Sequence, residues 1–203
     1  MNKTISGIGA AIVAAATALF ALFIIMDIPF AMYLVCMFLP IGFIMMTAGF
    51  RNECGSDRKV AADIGMALAV VYATLILIVY FAQDTTVRLE TLNEQAQQLL
   101  DYKKGVLLFN YDLLGYGMMA LSTFFTGLAL KAVTKADKWL RALMMIHGVF
   151  FISCFFMPMT GMFVNMSDST GHGGAIALLI WCIYFLPVGI LAYIHFKDNR
   201  KGE

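Results

Sequence analysis

The chain of 203 residues reads as an all-α polytopic membrane protein, a six-transmembrane-helix bundle, N-in/C-in, with an extracytoplasmic amphipathic segment between helices 3 and 4. Three observations carry that reading. The composition is 61% hydrophobic and only 13% charged, whereas soluble domains are about 45–50% apolar and about 25% charged. Six apolar runs of about 20 residues, the length that crosses about 30 Å of hydrocarbon, account for most of the chain. Lysine and arginine fall in alternate connections rather than at random. A soluble enzyme or a nucleic-acid binder is excluded, because 14 basic and 13 acidic residues cannot clothe a soluble surface of this size. The expected surroundings are a lipid bilayer.

The spans are expected at 6–26, 29–50, 60–82, 106–131, 139–161 and 174–196, within a single integral membrane domain covering 1–203. The first run passes directly into the second and so reads as a retained span rather than a cleaved signal. Between them, Asp27 is placed to cap the next helix and Pro29 to occupy its first turn. Span one carries a stripe of small residues, Ala10, Ala14, Thr17, Ala18 and Ala21, that suits close helix packing. Pro40 and Pro187 lie inside spans two and six, each within a five-residue echo, Phe38 to Gly42 and Phe185 to Gly189. Prolines there free backbone groups that neighbours must satisfy.

Orientation follows from residues that resist translocation. Lys3, Arg51, Arg58, Lys59, Lys131, Lys135, Lys138, Arg141, Lys197, Arg200 and Lys201 fall on one side, eleven against the three of Arg88, Lys103 and Lys104 on the other. Both termini are therefore expected in the cytoplasm, in the cell membrane. The longest connection, 83–105, spaces Leu89, Leu92, Ala96, Leu99 and Leu100 at helical intervals among polar residues, which predicts a short amphipathic helix lying on the membrane or over the bundle.

Span four carries the clearest polar pattern. Asp112, Gly115, Tyr116, Met119, Ser122, Thr123, Thr126 and Gly127 share one side at 100° per residue, opposite a leucine and phenylalanine face. Small and hydroxylated residues suit helix association, but a carboxylate inside a span is costly and normally faces a cavity, a partner or a site. His147 in span five falls about 15 Å from Asp112 along the membrane normal, so no direct pair is expected. A neutral imidazole bonded to a span-four hydroxyl is the plainer reading, a station on a polar path the more functional one.

Four cysteines lack any C-x-x-C spacing, so a redox pair or zinc site is not predicted, and no cofactor is called for. Met157, Met159, Met162, Met166 and His172 offer thioether and imidazole ligands of the kind that suit Cu(I), a weaker alternative to simple gap-filling methionine. H-E-x-x-H, G-x-S-x-G, P-loop and dinucleotide fingerprints are absent.

These features lead to the expectation of a small permease or carrier-like protein, with an outward-facing polar cleft around helix 4 that handles a small solute or a proton. Asp112, Tyr116, Ser122, Thr123, Thr126 and His147 are its candidate binding residues. The alternatives are a non-catalytic sensor or partner subunit that joins another membrane protein or a second copy, and an intramembrane enzyme acting on lipid.

Overall fold

The structure is a computed structural model that describes residues 1–89, 91–104, 106–161 and 172–198, the side chains of His172, Gly173, Gly174 and Asp198 excepted. Every regular element among these residues is helical. The long ones are α1 (Asn2–Ile25), α2 (Pro29–Glu53), α3 (Lys59–Ala82), α5 (Leu107–Ala129) and α8 (His172–Asp198), and the shorter ones are α4 (Glu94–Leu100), α6 (Lys135–His147) and α7 (Phe150–Phe156).

Five helical stretches are long and apolar enough to cross a membrane: Asn2–Ile25, Pro29–Glu53, Ser56–Val87, Lys135–Thr160 and Ala175–Lys197. α5 is comparably long at 23 residues but less apolar, because Asn110, Asp112, Ser122, Thr123 and Thr126 interrupt its leucines. Of these, Asp112, Ser122, Thr123 and Thr126 are buried and Asn110 is half-buried. The outer face of α5, not its average composition, is what a bilayer would meet.

The helices close into a ring. α1 packs between α2 and α8, α2 on α3, α3 on α5, α5 on α6 and α7, and α6 on α8. Glycine sets the closest crossings. A Cβ on Gly9 would sit 2.7 Å from the carbonyl oxygen of Gly42, and one on Gly42 would sit 2.8 Å from that of Gly9, so α1 and α2 touch through backbone. Gly189 meets the backbone of Ala14 in the same way, at 2.8 Å. The two glycines of the five-residue echo thus flank α1 on either side. Ala10 and Thr17 of the small-residue stripe are buried as expected, whereas Ala18 is exposed.

Three local expectations are corrected. Asp27 does not cap α2, whose N-cap is Ile28 without a side-chain bond. Instead Asp27 adopts a left-handed conformation, φ 50°, and closes α1: the Ile28 N–H reaches the Phe23 carbonyl at 3.1 Å and the Asp27 N–H that of Ile24 at 3.2 Å. This is the paired-bond helix stop in which glycine is the usual residue. The run expected as a fifth span, 139–161, is two helices rather than one. After His147 the backbone tightens, with Gly148, Val149, Phe151 and Ile152 each donating to the carbonyl three residues back, and α7 restarts at Phe150. Close contact explains the small residue at the break, since a Gly148 Cβ would lie 2.8 Å from Phe124 Cβ of α5. Finally, residues 83–87 prolong α3 by one wide π-type turn, and the helix of the connection is only the seven residues of α4, none of them buried.

Candidate functional site

A cavity of about 800 Å³ runs between α7 and α8. Its mouth is made by Asp27, Ile28 and Pro29 of the α1–α2 turn and by Asp101, Tyr102, Lys103 and Lys104. Phe150, Ser153, Cys154 and Met157 form one wall, Ala175, Ala177, Leu178 and Trp181 the facing wall, and Asp112, Tyr116 and His147 lie deeper. The space exists because α8 leans on α1 and α6 while α7 stays with α5, so the two halves of the ring part above the break at Gly148.

Asp112 is 1% exposed. One carboxylate oxygen accepts a bond from the Tyr102 hydroxyl at 3.1 Å, while Oδ1 makes no hydrogen bond of normal geometry, with the Tyr80 hydroxyl also beside the carboxylate. Tyr102 is itself anchored: the Gln83 amide donates to the Leu100 carbonyl at 2.8 Å and accepts from the Tyr102 N–H at 3.0 Å. Partial burial and the neighbouring Asp112 carboxylate hold the Tyr102 phenol well above its ordinary pKa, so it stays a donor at neutral pH. Tyr33, Tyr80 and Tyr102 pack against one another with centroids 5.7–6.2 Å apart. The Tyr116 ring meets Trp181 edge-on at 5.1 Å, and its hydroxyl is buried near Tyr80 and Cys36 without a hydrogen bond of normal geometry.

His147 is fixed on both nitrogens. Trp181 Nε1, which can only donate, bonds His147 Nε2 at 3.2 Å. Thr123 donates its own proton to the Ala120 carbonyl at 2.8 Å, so its oxygen must accept from His147 Nδ1, also at 2.8 Å. The donor geometry therefore assigns a neutral imidazole with its proton on Nδ1. His147 shares no bond with Asp112 among the described residues; its hydrogen bonds hold the floor of the cavity together.

The remaining residues of the polar stripe face elsewhere. Ser122 donates to the Gly65 carbonyl of α3 at 2.6 Å, and Thr126 donates to the Ser122 carbonyl at 2.7 Å. Both are buried against α3 and neither lines the cavity. Here the polar stripe serves close helix contact, with Gly65 making room for Thr126. Of the thioether set, Met157 lines the cavity and Met159 is exposed. Met162, Met166 and the side chain of His172 lie outside the described residues, and no group of three or more histidine, cysteine or acidic side chains among those described is disposed to hold a metal ion.

A second polar centre at the opposite end of the bundle was not anticipated. His195 of α8 places Nδ1 2.7 Å from Asp137 Oδ1 and Nε2 2.9 Å from Glu53 Oε2. Asp137 also closes the capping box of α6, taking the Thr134 N–H at 2.8 Å while its own N–H bonds Thr134 Oγ1 at 3.1 Å. A cavity of about 500 Å³ adjoins the centre and is lined also by Lys3, Phe50 and Lys131. The Thr134-x-x-Asp137 spacing was a readable capping signal. Partners 58 and 142 residues away from His195 were not.

Comparison with protein-family models, with curated proteins and with solved structures finds no match to this chain.

Proposed function

We propose that this chain is a small permease or carrier of the cell membrane, with six spans, both termini cytoplasmic, and an outward-facing polar cleft built around α5. One observation carries the reading. A cavity of about 800 Å³ ends at a buried carboxylate, Asp112, that has only tyrosine hydroxyls beside it and no counter-ion among the described residues. A purely structural carboxylate in a membrane helix would be expected to have both oxygens bonded or paired. The six-span count treats α5 as a span whose inward face holds its polar residues, and the basic-residue asymmetry supplies the sidedness.

In this scheme Asp112 and Tyr116 contact the solute, Tyr102 orients Asp112 from the mouth, and His147 with Thr123 fixes the floor. Ser122 and Thr126 hold α5 to α3. The test uses Cys154, which lines the cavity, in a protein whose Cys36, Cys54 and Cys182 are replaced by alanine. A membrane-impermeant thiol reagent is expected to label Cys154 in intact cells and not in inverted vesicles. Labelling from the cytoplasmic side alone, or from neither side, would refute an outward-facing cleft.

A further inference from the structure

The cavity restricts what its occupant can be. Its single deep charge is the Asp112 carboxylate, 1% exposed, which lines the space and whose Oδ1 makes no hydrogen bond of normal geometry. An anion would meet that charge with no cation beside it, since the lysines of the lining, Lys103 and Lys104, are at the mouth and exposed. A sugar-like solute needs many donors and acceptors around it, but much of the lining is apolar, Phe23, Ile24, Met32, Phe150 and Leu178 among it. A bare metal ion is too small for about 800 Å³ and would find no ligand cluster among the described residues. Aromatic groups complete the picture. Tyr33, Tyr102, Phe109, Tyr116, Phe150 and Trp181 all line the same space, and ring faces attract cations that have been stripped of water.

Resting on the carrier reading, we infer that the cavity binds an amphipathic organic cation, with Asp112 as its counter-charge and the Tyr116–Trp181 pair and neighbouring rings packed against its apolar body. Such a ligand satisfies each group left open: the charge meets Oδ1, an N–H or polarised C–H meets the Tyr116 hydroxyl, and apolar substituents fill the walls. The aspartates at the mouth, Asp27 and Asp101, offset Lys103 and Lys104 and leave the entrance without a net repulsive charge toward a cation.

Two ions of nearly equal size and shape but opposite charge, tetraphenylphosphonium and tetraphenylborate, isolate the effect of charge. With Trp139 replaced by phenylalanine, Trp181 is the sole tryptophan and reports occupancy by its fluorescence. In purified protein, tetraphenylphosphonium should quench Trp181 saturably, and tetraphenylborate should bind at least about tenfold more weakly. Asp112→Asn should erase that preference, whereas Asp101→Asn at the mouth should keep it. Equal affinity for the two ions, or preference for the borate, overturns the inference, and this comparison on unsubstituted Asp112 stands even if Asp112→Asn fails to fold. Absence of binding by either ion also overturns it. The labelling of Cys154 then separates the two readings: a labelled cysteine leaves the cleft standing without this ligand class, and an unlabelled one removes both.

Discussion

Replacing Asp137 by alanine removes three hydrogen bonds at once, and the structure sets the size of the loss. One oxygen holds His195 Nδ1 at 2.7 Å and the other holds the backbone N–H groups of Val133 and Thr134 at 3.1 and 2.8 Å. The cap alone is worth about 1 kcal/mol. A buried bond to a charged group adds about 1.5–3 kcal/mol, and removing one partner of a buried charged set costs about 3–5 kcal/mol. The bond is little exposed, with side-chain exposures of 8% for His195 and 7% for Asp137, although it borders the cavity of about 500 Å³. Asp137→Ala should therefore destabilise the protein by about 3–4 kcal/mol. Thr134→Ala loses only the reciprocal bond to the Asp137 N–H and should cost about 1 kcal/mol. Reversible unfolding in mixed micelles, followed by helical circular dichroism, measures both. A double-mutant cycle with His195→Ala should return a coupling of at least about 1 kcal/mol. If Asp137→Ala is no worse than Thr134→Ala, or the coupling is zero, the contact between α6 and α8 is not an energetic tie.

Asp27→Gly should raise the thermal midpoint, by the equivalent of up to about 1 kcal/mol, because glycine adopts the left-handed conformation of this helix stop without a Cβ penalty. Gly65→Ala should cost about 1–3 kcal/mol by overpacking, since its Cβ would fall 2.6 Å from Thr126 Oγ1; adding Thr126→Ala should recover part of the loss in the same unfolding assay. Gln83→Leu removes the amide that holds Leu100 and Tyr102, and hydrogen exchange in 91–104 should accelerate relative to α5, with no acceleration counting against the anchoring role.

The sequence made some of this legible and concealed the rest for definite reasons. Helix existence followed from apolar length, and Pro29 marks a helix start that the structure places at that residue, whereas α6 begins at Lys135, ahead of the run expected from 139, at a capping box that apolar length does not record. Asp112 stood out because a carboxylate is costly in hydrocarbon, and it is indeed buried beside a cavity. Ser122 and Thr126 share its helical face, but a helix face is wider than one neighbour: the same stripe meets a cavity at Asp112 and α3 lower down. The bond from Tyr102 to Asp112 and the joining of Glu53, Asp137 and His195 depend on how the ring closes, which no local periodicity records. The break after His147 was also hidden, because an apolar run gives the same signal whether its backbone is continuous or tightened for one turn.

That break has a mechanical meaning. Across Gly148 and Val149 the regular four-residue bonding ladder gives way to shorter-range bonds, and such interruptions are where helices bend most easily. Below it, α6 is fastened to α8 through Asp137 and His195, while above it α7 supplies Phe150, Ser153, Cys154 and Met157 to one wall of the large cavity. α6 and α7 thus form a post whose foot is tied to α8 and whose upper arm starts at an interruption of the bonding ladder.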